Sequence, residues 1–461
     1  MTLDPASIPA DRQPSLRRVL TLGDLVWYGI VLIQPIAAVP LFGIADQLSQ
    51  GHIVTTILIA MVAMMFTAVS YGAMANVYPT AGSAYTYVGR GLNLHLGFLT
   101  GWVMLLDYLI IPIINTIFGA LTLNRILPSV PFMVWVALFV VIITALNLLG
   151  VQTTARTNQI LLAAMSLVIG IFFVMAISYV GRRFGVHALF STVPFYNPRT
   201  FHLHAVATAT SLAELTYIGF DGITTLTEEA RNPKRDIMRA TVLVCLLTGI
   251  LSGLQVYLAQ LVWPDYLTFP DANTAFMDVA LRTGGKFLFD GFAFILILAS
   301  LGSGLAGQAG AARLLFGMGR DGALSSAFFG YVGRKRRVPS YNILLIGLCA
   351  FLGALVLSFE RAAELLNFGA FLAFIGVNVV AMRHFHSLRR WGAALMSGFG
   401  AIFCICIWWS LPTPAKVGGS VWLCLGVIYL AILTRGFRQD PVAINSIDQS
   451  SPGEESANPR L

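Results

Sequence analysis

Three acidic side chains lie inside long apolar segments of this chain, where a charged group calls for an explanation. They are Asp107, Glu214 and Asp221. An ionisable group near the centre of a membrane-spanning helix costs about 2.5–3.5 kcal/mol on insertion scales, so each acid is a candidate functional residue. No lysine lies at comparable depth. Acids without a basic partner indicate that a cation completes the site, as a substrate amine, a metal ion or a proton.

The three acids suggest different roles. We expect Asp221 to bind a substrate amine or to shape its site, because it lies between two glycines at mid-segment. Glu214 is a candidate for ion coupling or for amine binding. Asp107 is a candidate for proton coupling, and its alternative role is a structural acid that hydrogen-bonds near Tyr108. A carboxylate deprived of water can also carry a proton, so these residues suit a proton relay.

The apolar segment that contains Asp221 is interrupted at its centre. Gly219 and Gly222 flank Phe220-Asp221, and each glycine costs about 1 kcal/mol relative to alanine in a helix. The sequence therefore predicts a discontinuous membrane helix with its break at residues 219–222. Such breaks are typical of transporter binding sites, because irregular backbone at that depth needs protein or water to satisfy it. The alternative is a glycine-kinked packing helix in which Asp221 caps the second half.

A second interruption falls in the first apolar segment. Gln34-Pro35 lies at its centre, and proline removes a helical hydrogen bond and clashes with the preceding turn. The two breaks lie in the first and sixth spans, five spans apart and in opposite orientation. This is the pattern of a five-helix unit repeated with inverted topology.

Composition identifies the elements that must position these residues. Of the 461 residues, 57% are hydrophobic and 11% are charged, against about 25% charged in soluble proteins. Apolar stretches long enough to cross about 30 Å of hydrocarbon recur along the chain. We predict an all-α polytopic membrane protein with twelve spans, near residues 22–49, 53–77, 95–126, 131–150, 157–180, 204–230, 238–263, 288–318, 341–358, 362–384, 391–411 and 419–437.

The spans divide into larger units. The excess of Lys and Arg in alternate connections places both termini in the cytoplasm. The predicted units are a cytoplasmic N-terminal tail at 1–20, a first five-helix repeat at 21–181, an inverted second repeat at 204–385, two further spans at 391–437 and a disordered cytoplasmic tail at 438–461.

Composition also excludes several classes of function. The net charge of +8 follows from basic cytoplasmic loops and needs no nucleic acid. The five cysteines lie in apolar helices without metal-ligand spacing, so we expect no metal site, and we expect no cofactor. No GxxxxGK[ST] motif occurs, which argues against ATP as the energy source.

Further polar groups lie in spans three and eight. Asn115 is a candidate substrate contact, and Ser300 and Ser303 are candidate ligands of a cation beside the first span. The glycines around these serines are explained by close helix packing alone. The stretch between spans two and three, YPTAGSAYTYVGRGLNLHLG, is small, polar and aromatic, and we expect it to lie partly along the inner surface.

Two stretches resemble the amino acid–polyamine–organocation (APC) superfamily of permeases. YIGFDGITTLTEEARNPKRDI is similar to the signature of their sixth helix, and YPTAGSAYTYVGRGLN is similar to the region between their second and third helices. The resemblance covers nearly the whole chain, and SAYTYVGRGLN with GWVMLLDYLIIPIINTI is most similar to putrescine-importer-type members. It implies the leucine-transporter-type fold, with a 5+5 inverted repeat, discontinuous helices 1 and 6, two extra helices and alternating access.

The resemblance also implies which residues contact the substrate. In polyamine-transporting members an acid in the sixth-helix break helps to hold the amine, and Asp221 occupies that position. The broken segments would supply the contacts, which are Gln34, Pro35, Ile36, Ala37, Ala38, Tyr217, Ile218, Gly219, Phe220, Asp221 and Gly222.

The chain departs from the family pattern in two places. Some proton-coupled members carry a lysine midway along helix five, where this chain has Met165-Ser166, so that coupling device is absent. The first-helix break lacks the glycine-rich run of amino-acid permeases, which disfavours close approach of a substrate carboxylate to the main chain. This second departure favours an amine-dominated ligand.

We therefore predict a secondary transporter of the bacterial inner membrane that imports a putrescine-like polyamine or a related amino acid, coupled to H⁺ rather than Na⁺. The alternative within the same class is a neutral or cationic amino-acid permease or exchanger. The alternative from another class is a membrane sensor that binds its ligand without moving it, which the short tails disfavour. The sequence leaves the exact substrate, the stoichiometry and the oligomeric state open.

Overall fold

The computed structural model describes residues 18–79, 83–150, 155–227, 229–320, 324–333 and 336–441, and its regular structure there is helical. The predicted N-terminal tail at 1–20 and C-terminal tail at 438–461 therefore lie mostly outside the described residues. The α-helices in chain order are α1 Leu22–Ile33, α2 Phe42–Leu48, α3 Ile53–Val77, α4 Ser83–Gly91, α5 Leu94–Ile126, α6 Phe132–Leu148, α7 Ala155–Phe184, α8 Leu203–Ala213, α9 Pro233–Val262, α10 Ala275–Arg320, α11 Ser326–Phe329, α12 Ser340–Val356, α13 Phe359–Ser387, α14 Trp391–Trp409 and α15 Thr413–Leu433.

The long helices have the length and apolarity that a bilayer requires. Within the described ranges, 8 helices are long and apolar enough to cross a membrane, and α1, α6 and α12 are shorter apolar helices. Their side chains pack into one extended apolar core in which rings and branched aliphatic residues of several helices interdigitate. The prediction of an all-helical, multi-pass membrane protein is confirmed.

The first span is interrupted where the sequence predicts. α1 ends at Ile33, and Gln34 follows in the left-handed region with φ of 68°. The chain continues in turns until α2 begins at Phe42. The interruption is longer than one proline kink because Pro40 removes a second main-chain donor shortly after Pro35.

The sixth span is also interrupted, but the break is wider than the predicted residues 219–222. α8 ends at Ala213, a 3₁₀-helix spans Glu214–Tyr217, and Gly219 has φ of 116°. The chain then continues as a second 3₁₀-helix at Phe220–Leu226 rather than as an α-helix. The predicted residues 219–222 therefore lie inside the interruption but cover only part of it.

Threonine hydroxyls explain why the second half of this span stays irregular. Thr224 Oγ1 donates to the carbonyl of Asp221 at 2.6 Å, and Thr225 Oγ1 donates to that of Gly222 at 2.6 Å. Thr227 repeats the pattern at 2.5 Å on the carbonyl of Thr224. Hydroxyl-to-carbonyl bonds of this kind compete with the regular helical ladder.

The helix in the connection between spans two and three is largely buried, and its position relative to the inner surface stays a prediction. α4 packs against α5 and α13, and Ser83 Oγ lies 3.3 Å from Thr224 Oγ1. Glycines allow α4 and α5 to pack closely, since a Cβ added at Gly97 of α5 would stand 2.5 Å from the Cα of Gly89 on α4. The polar composition of this stretch therefore reflects contact with the irregular sixth span.

The helix of the eighth span is preceded by a separate helical piece that the predicted range 288–318 does not include. α10 begins at Ala275 and kinks at Gly285, whose φ of 60° and ψ of −156° are not helical. The piece before the kink carries Asp278, which forms an ion pair with Arg125 at the end of α5.

Candidate functional site

The two interrupted spans lie against each other at their breaks. A Cβ added at Gly219 would stand 3.5 Å from side-chain atoms of both Leu32 and Ile33, at the end of α1. One turn earlier on α1, a Cβ at Gly29 would stand 2.6 Å from Cδ1 of Ile223. Glycine is thus required both for the left-handed backbone at 219 and for the close approach at 29.

Hydrogen bonds to neighbouring helices hold both breaks in place. Nε2 of Gln255, which is buried on α9, donates to the carbonyl of Pro35 at 2.8 Å. The hydroxyl of Tyr217 donates to the carbonyl of Ile57 on α3 at 2.7 Å. Gln255 was not predicted as a site residue, although a glutamine inside an apolar span is the kind of signal that could have found it.

Asp221 lies in the first turn of the 3₁₀-helix that follows the break. The N–H groups of Gly219 and Gly222 lie against its carboxylate. Four tyrosines lie within electrostatic range of the same carboxylate, and they are Tyr28, Tyr71, Tyr87 and Tyr108. Asp221 forms no ion pair within the described part of the chain. Asp221 is therefore a half-buried carboxyl group close to aromatic rings and main-chain N–H groups, and no basic side chain of the described residues neutralises it.

Aromatic rings enclose the break next to Asp221. Tyr71 and Phe220 are both fully buried, with ring centroids 5.5 Å apart, and Tyr87 is 6.1 Å from Tyr71 in an edge-to-face arrangement. Phe374 of α13 completes the cluster, 5.4 Å from Phe220. Ring faces at this spacing can attract an ammonium group and cover methylene groups.

Glu214 is buried more deeply than Asp221, on the other side of Gly219 along the chain. Neither of its carboxylate oxygens has a hydrogen-bond partner among the residues that the structure describes. Cys245 and Cys404 lie within electrostatic range of it, and Cys245 is also within range of Asp221. One turn away, Asn367 of α13 donates to the carbonyl of Ser211 at 2.6 Å.

Asp107 lies on α5 and faces α13. A Cβ added at Gly369 would stand 2.7 Å from Asp107 Oδ1, and that oxygen is buried without a hydrogen-bond partner in the described residues. Asp107 and Asp221 are within electrostatic range of each other.

Asn115 and Ser303, which the sequence assigns to different sites, are hydrogen-bonded to each other. Asn115 Nδ2 donates to Ser303 Oγ at 3.0 Å and to the carbonyl of Ile111 at 2.8 Å, so both side chains join α5 to α10. Ser300, one turn before Ser303, is buried on α10. Among the described residues, no cluster of three His, Cys, Asp or Glu side chains is arranged to hold a metal ion.

Four buried acids were missed by the sequence reasoning, and two of them, Asp236 and Asp278, lie in the first turns of α9 and α10. Asp46 on α2 is fully buried, and neither of its carboxylate oxygens has a hydrogen-bond partner among the described residues. Glu364 on α13 is buried, with one carboxylate oxygen lacking a hydrogen-bond partner in the described ranges. All four lie near helix ends, where an acid in the sequence is not distinguishable from a surface residue.

An open cavity of about 490 Å³ lies apart from these acids, at the connection between α4 and α5. None of the predicted site residues lines it. Its lining residues are Gly89, Arg90, Leu92, Asn93, Leu94, His95 and Asp440.

A sequence comparison identifies the class to which this arrangement belongs. The sequence profile of the amino acid permeases matches residues 30–432, which include both breaks and all three acids. The chain belongs to the amino acid permease family. The resemblance seen in the sequence is confirmed, and this permease is a transporter rather than an enzyme.

Curated relatives of this permease match over most of its length. It is 34% identical over 438 residues to the low-affinity putrescine importer PlaP of Escherichia coli (strain K12), which covers 93% of this chain and 96% of the relative. It is 28% identical over 398 residues to the vacuolar cationic amino acid transporter 4 of Arabidopsis thaliana, covering 81% and 64% of the two chains. It is 25% identical over 466 residues to the branched-chain amino acid permease BcaP of Lactococcus lactis subsp. cremoris (strain MG1363), covering 91% and 96%.

Proposed function

We propose that this permease is a secondary active transporter that imports a putrescine-like polyamine, or a related amino acid, across a bacterial inner membrane. The observation that carries the proposal is Asp221, an acid without an ion-pair partner in the described residues at the junction of two interrupted helices. An ammonium group is the complement that such a carboxylate lacks. The full-length similarity to PlaP supports an amine substrate.

The substrate site would be built from the two breaks. The ammonium group binds Asp221, and the remaining contacts come from Gln34 to Ala38 and from Tyr217 to Gly222. The aromatic rings of Tyr71 and Phe220 cover its methylene groups. Asn115 contributes at the edge of the site, although its amide is engaged with Ser303 in this conformation.

Alternating access would use the two breaks as hinges. The proposed architecture is the leucine-transporter-type fold, with twelve spans, a 5+5 inverted repeat and both termini in the cytoplasm. The side chains of Tyr28 and Tyr108 are 38% and 39% exposed, whereas Glu214, Tyr217 and Phe220 are fully buried. Exposure thus falls from Tyr28 and Tyr108 to the buried residues around Glu214. Together with the Arg125–Asp278 ion pair, this difference in exposure supports a state that is closed on the outer side.

The coupling ion would be a proton. Glu214 is the first candidate for its carrier, because it is sealed from solvent and has no cation beside it in the described structure. Asp107 is the second candidate. Ser300 and Ser303 remain candidate ligands of a metal cation, and the bond from Asn115 to Ser303 favours the proton over Na⁺.

Similarity to amino-acid permeases supports a second candidate substrate class. Two of the relatives named above are cationic and branched-chain amino-acid transporters. Counterflow in proteoliposomes distinguishes the classes, since radiolabelled putrescine should exchange against internal putrescine and should resist competition by alanine or arginine. Exchange of arginine or alanine in place of putrescine would favour the amino-acid permease, and binding without counterflow would indicate a sensor.

A further inference from the structure

We infer that His52 is an acid-sensitive latch at the outer side of this permease. Its neutral ring holds the connection between α7 and α8 in place, and a proton added to the ring breaks that contact. The inference goes beyond the proposed function, because it concerns access to the site and depends on no particular substrate.

The ring of His52 is held between two main-chain groups. His52 is fully buried in the turn between α2 and α3, where its Nδ1 lies 2.9 Å from the carbonyl oxygen of Ser49. The N–H of Asn197, in the connection between α7 and α8, donates to Nε2 at 3.0 Å. The ring also packs edge-to-face on Phe201, with ring centroids 5.2 Å apart. One side chain therefore joins two connections that are 145 residues apart in the chain.

These two partners fix the protonation state of the ring. A carbonyl oxygen only accepts a hydrogen bond and a main-chain N–H only donates one, so Nδ1 must carry the hydrogen and Nε2 must offer its lone pair. A histidine ring that carries protons on both nitrogens has no acceptor left. Two N–H groups would then face each other at Nε2, and the bond from Asn197 would be lost. The closed arrangement requires the neutral ring, so falling pH weakens it.

The connection that His52 holds leads directly into the sixth span. We call it the 186–201 segment, which comprises the 3₁₀-helix Val186–Phe190 and the turns after it, and α8 begins at Leu203. α8 is one half of the interrupted sixth span, and it packs against α2, the corresponding half of the first span. In the proposed orientation both halves lie on the outer side. His52 therefore ties together the outer ends of two half-spans that must part to admit a substrate.

Two further contacts hold the 186–201 segment, and both use hydroxyl donors. Thr55 Oγ1 donates to the carbonyl of Phe195 at 2.5 Å, and the hydroxyl of Tyr257 on α9 donates to two carbonyls of the segment at 2.9 and 3.0 Å. Hydroxyl groups keep their hydrogen throughout the pH range in which histidine titrates. Of these three contacts, the bond to His52 is therefore the one that acid removes.

The elements around His52 offer no replacement partner for a charged ring. Their ionisable groups are Asp46 on α2, Tyr257 of α9, Tyr266 after α9, Tyr196 and Arg199 of the 186–201 segment, and His202 before α8. None of them forms an ion pair with His52 in the described part of the chain. Because Asp46 is also buried close by in the chain, the test must separate its titration from that of His52.

Thiol labelling in right-side-out membrane vesicles tests the latch. Ile53→Cys places a thiol at a fully buried residue next to His52, and Val193→Cys places one at an exposed residue of the segment. The exposed Cys406 and Cys424 are replaced in both proteins. The ratio of the two labelling rates, measured with a membrane-impermeant reagent, corrects for the effect of pH on thiol reactivity. We expect this ratio to rise about tenfold from about pH 7.5 to about pH 5.5.

Substitutions of His52 separate this residue from its surroundings. In His52→Gln the amide oxygen accepts the N–H of Asn197 at any pH, so the labelling ratio should keep its neutral-pH value in acid. His52→Leu has no acceptor, and its ratio should be high at both pH values. His204→Gln changes an exposed histidine of α8 and is the matched control, which should keep the wild-type pH response.

Each outcome bears on one claim. A labelling ratio that is the same at both pH values in the protein with His52 would overturn the latch. A rise that persists in His52→Gln would overturn it too and would assign the response to another group such as Asp46. If His52→Gln does not reach the membrane, His52→Leu decides by the same criterion. Absence of putrescine counterflow in the same vesicles would overturn the proposed function and leave the labelling result intact.

Discussion

Leu20 and Ala230 are joined by an isolated parallel β-bridge, so the segment before the first interrupted span is bonded to the segment after the second. The N–H groups of Val19 and Leu20 donate to the carbonyl of Glu229 at 2.9 and 3.0 Å, and the N–H of Arg231 donates to Leu20 at 2.9 Å. The ends of the two broken spans are therefore linked at one face of the bundle, while their breaks meet at the proposed site.

This link should hold the permease in one state when it is made covalent. The double variant Leu20→Cys, Ala230→Cys places two thiols on paired extended segments, a geometry that a disulfide can bridge. We expect oxidation to abolish most uptake and a reductant to restore it. The background should replace Cys406 and Cys424, which are exposed, and each single variant serves as a control. Full uptake by the cross-linked protein would show that these segments need not separate.

The backbone at Gly219 should be intolerant of any side chain. Its φ of 116° is strained for an L-residue, and Gly219→Ala should cost about 1–2 kcal/mol or force the break to rearrange. We expect uptake to fall strongly with modest loss of thermal stability in detergent. Gly170→Ala on α7 is the matched control, because nothing lies within 4 Å of the added Cβ. Similar uptake by both variants would contradict a functional break.

Glu214→Gln should separate transport from coupling. The amide is nearly the same size as the carboxylate but cannot carry a proton, so counterflow of putrescine should persist while accumulation driven by a pH gradient is lost. Both activities are measured on the same proteoliposomes. Retained accumulation would exclude Glu214 as the proton carrier, and loss of counterflow as well would favour its alternative role in binding the amine.

The interruptions could be predicted because their signals are local. Pro35 and Gly219 restrict or free their own backbone whatever surrounds them, so both breaks lie where the sequence places them. The extent of the second break depends on hydroxyl bonds such as that of Thr224 to Asp221, and threonine also occurs in regular helices. The width of that break was therefore not predictable from local signals.

The partners of the site depend on contacts between distant parts of the chain. Gln255 reaches the carbonyl of Pro35 across 220 residues, and Phe374 joins the ring of Phe220 from α13. Hydropathy identifies both as members of apolar spans but does not give their rotation about the helix axis.

The central claim is that Asp221 holds the ammonium group of the substrate, and it is tested most directly by Asp221→Asn in reconstituted vesicles. The amide keeps the size of the side chain and removes its charge, so kcat/KM for putrescine counterflow should fall by about thirtyfold or more. Insertion and detergent stability should match those of the control Asp290→Asn, because Asp290 lies in an exposed i,i+4 pair with Lys286. Counterflow by Asp221→Asn at the wild-type rate and KM would contradict the account.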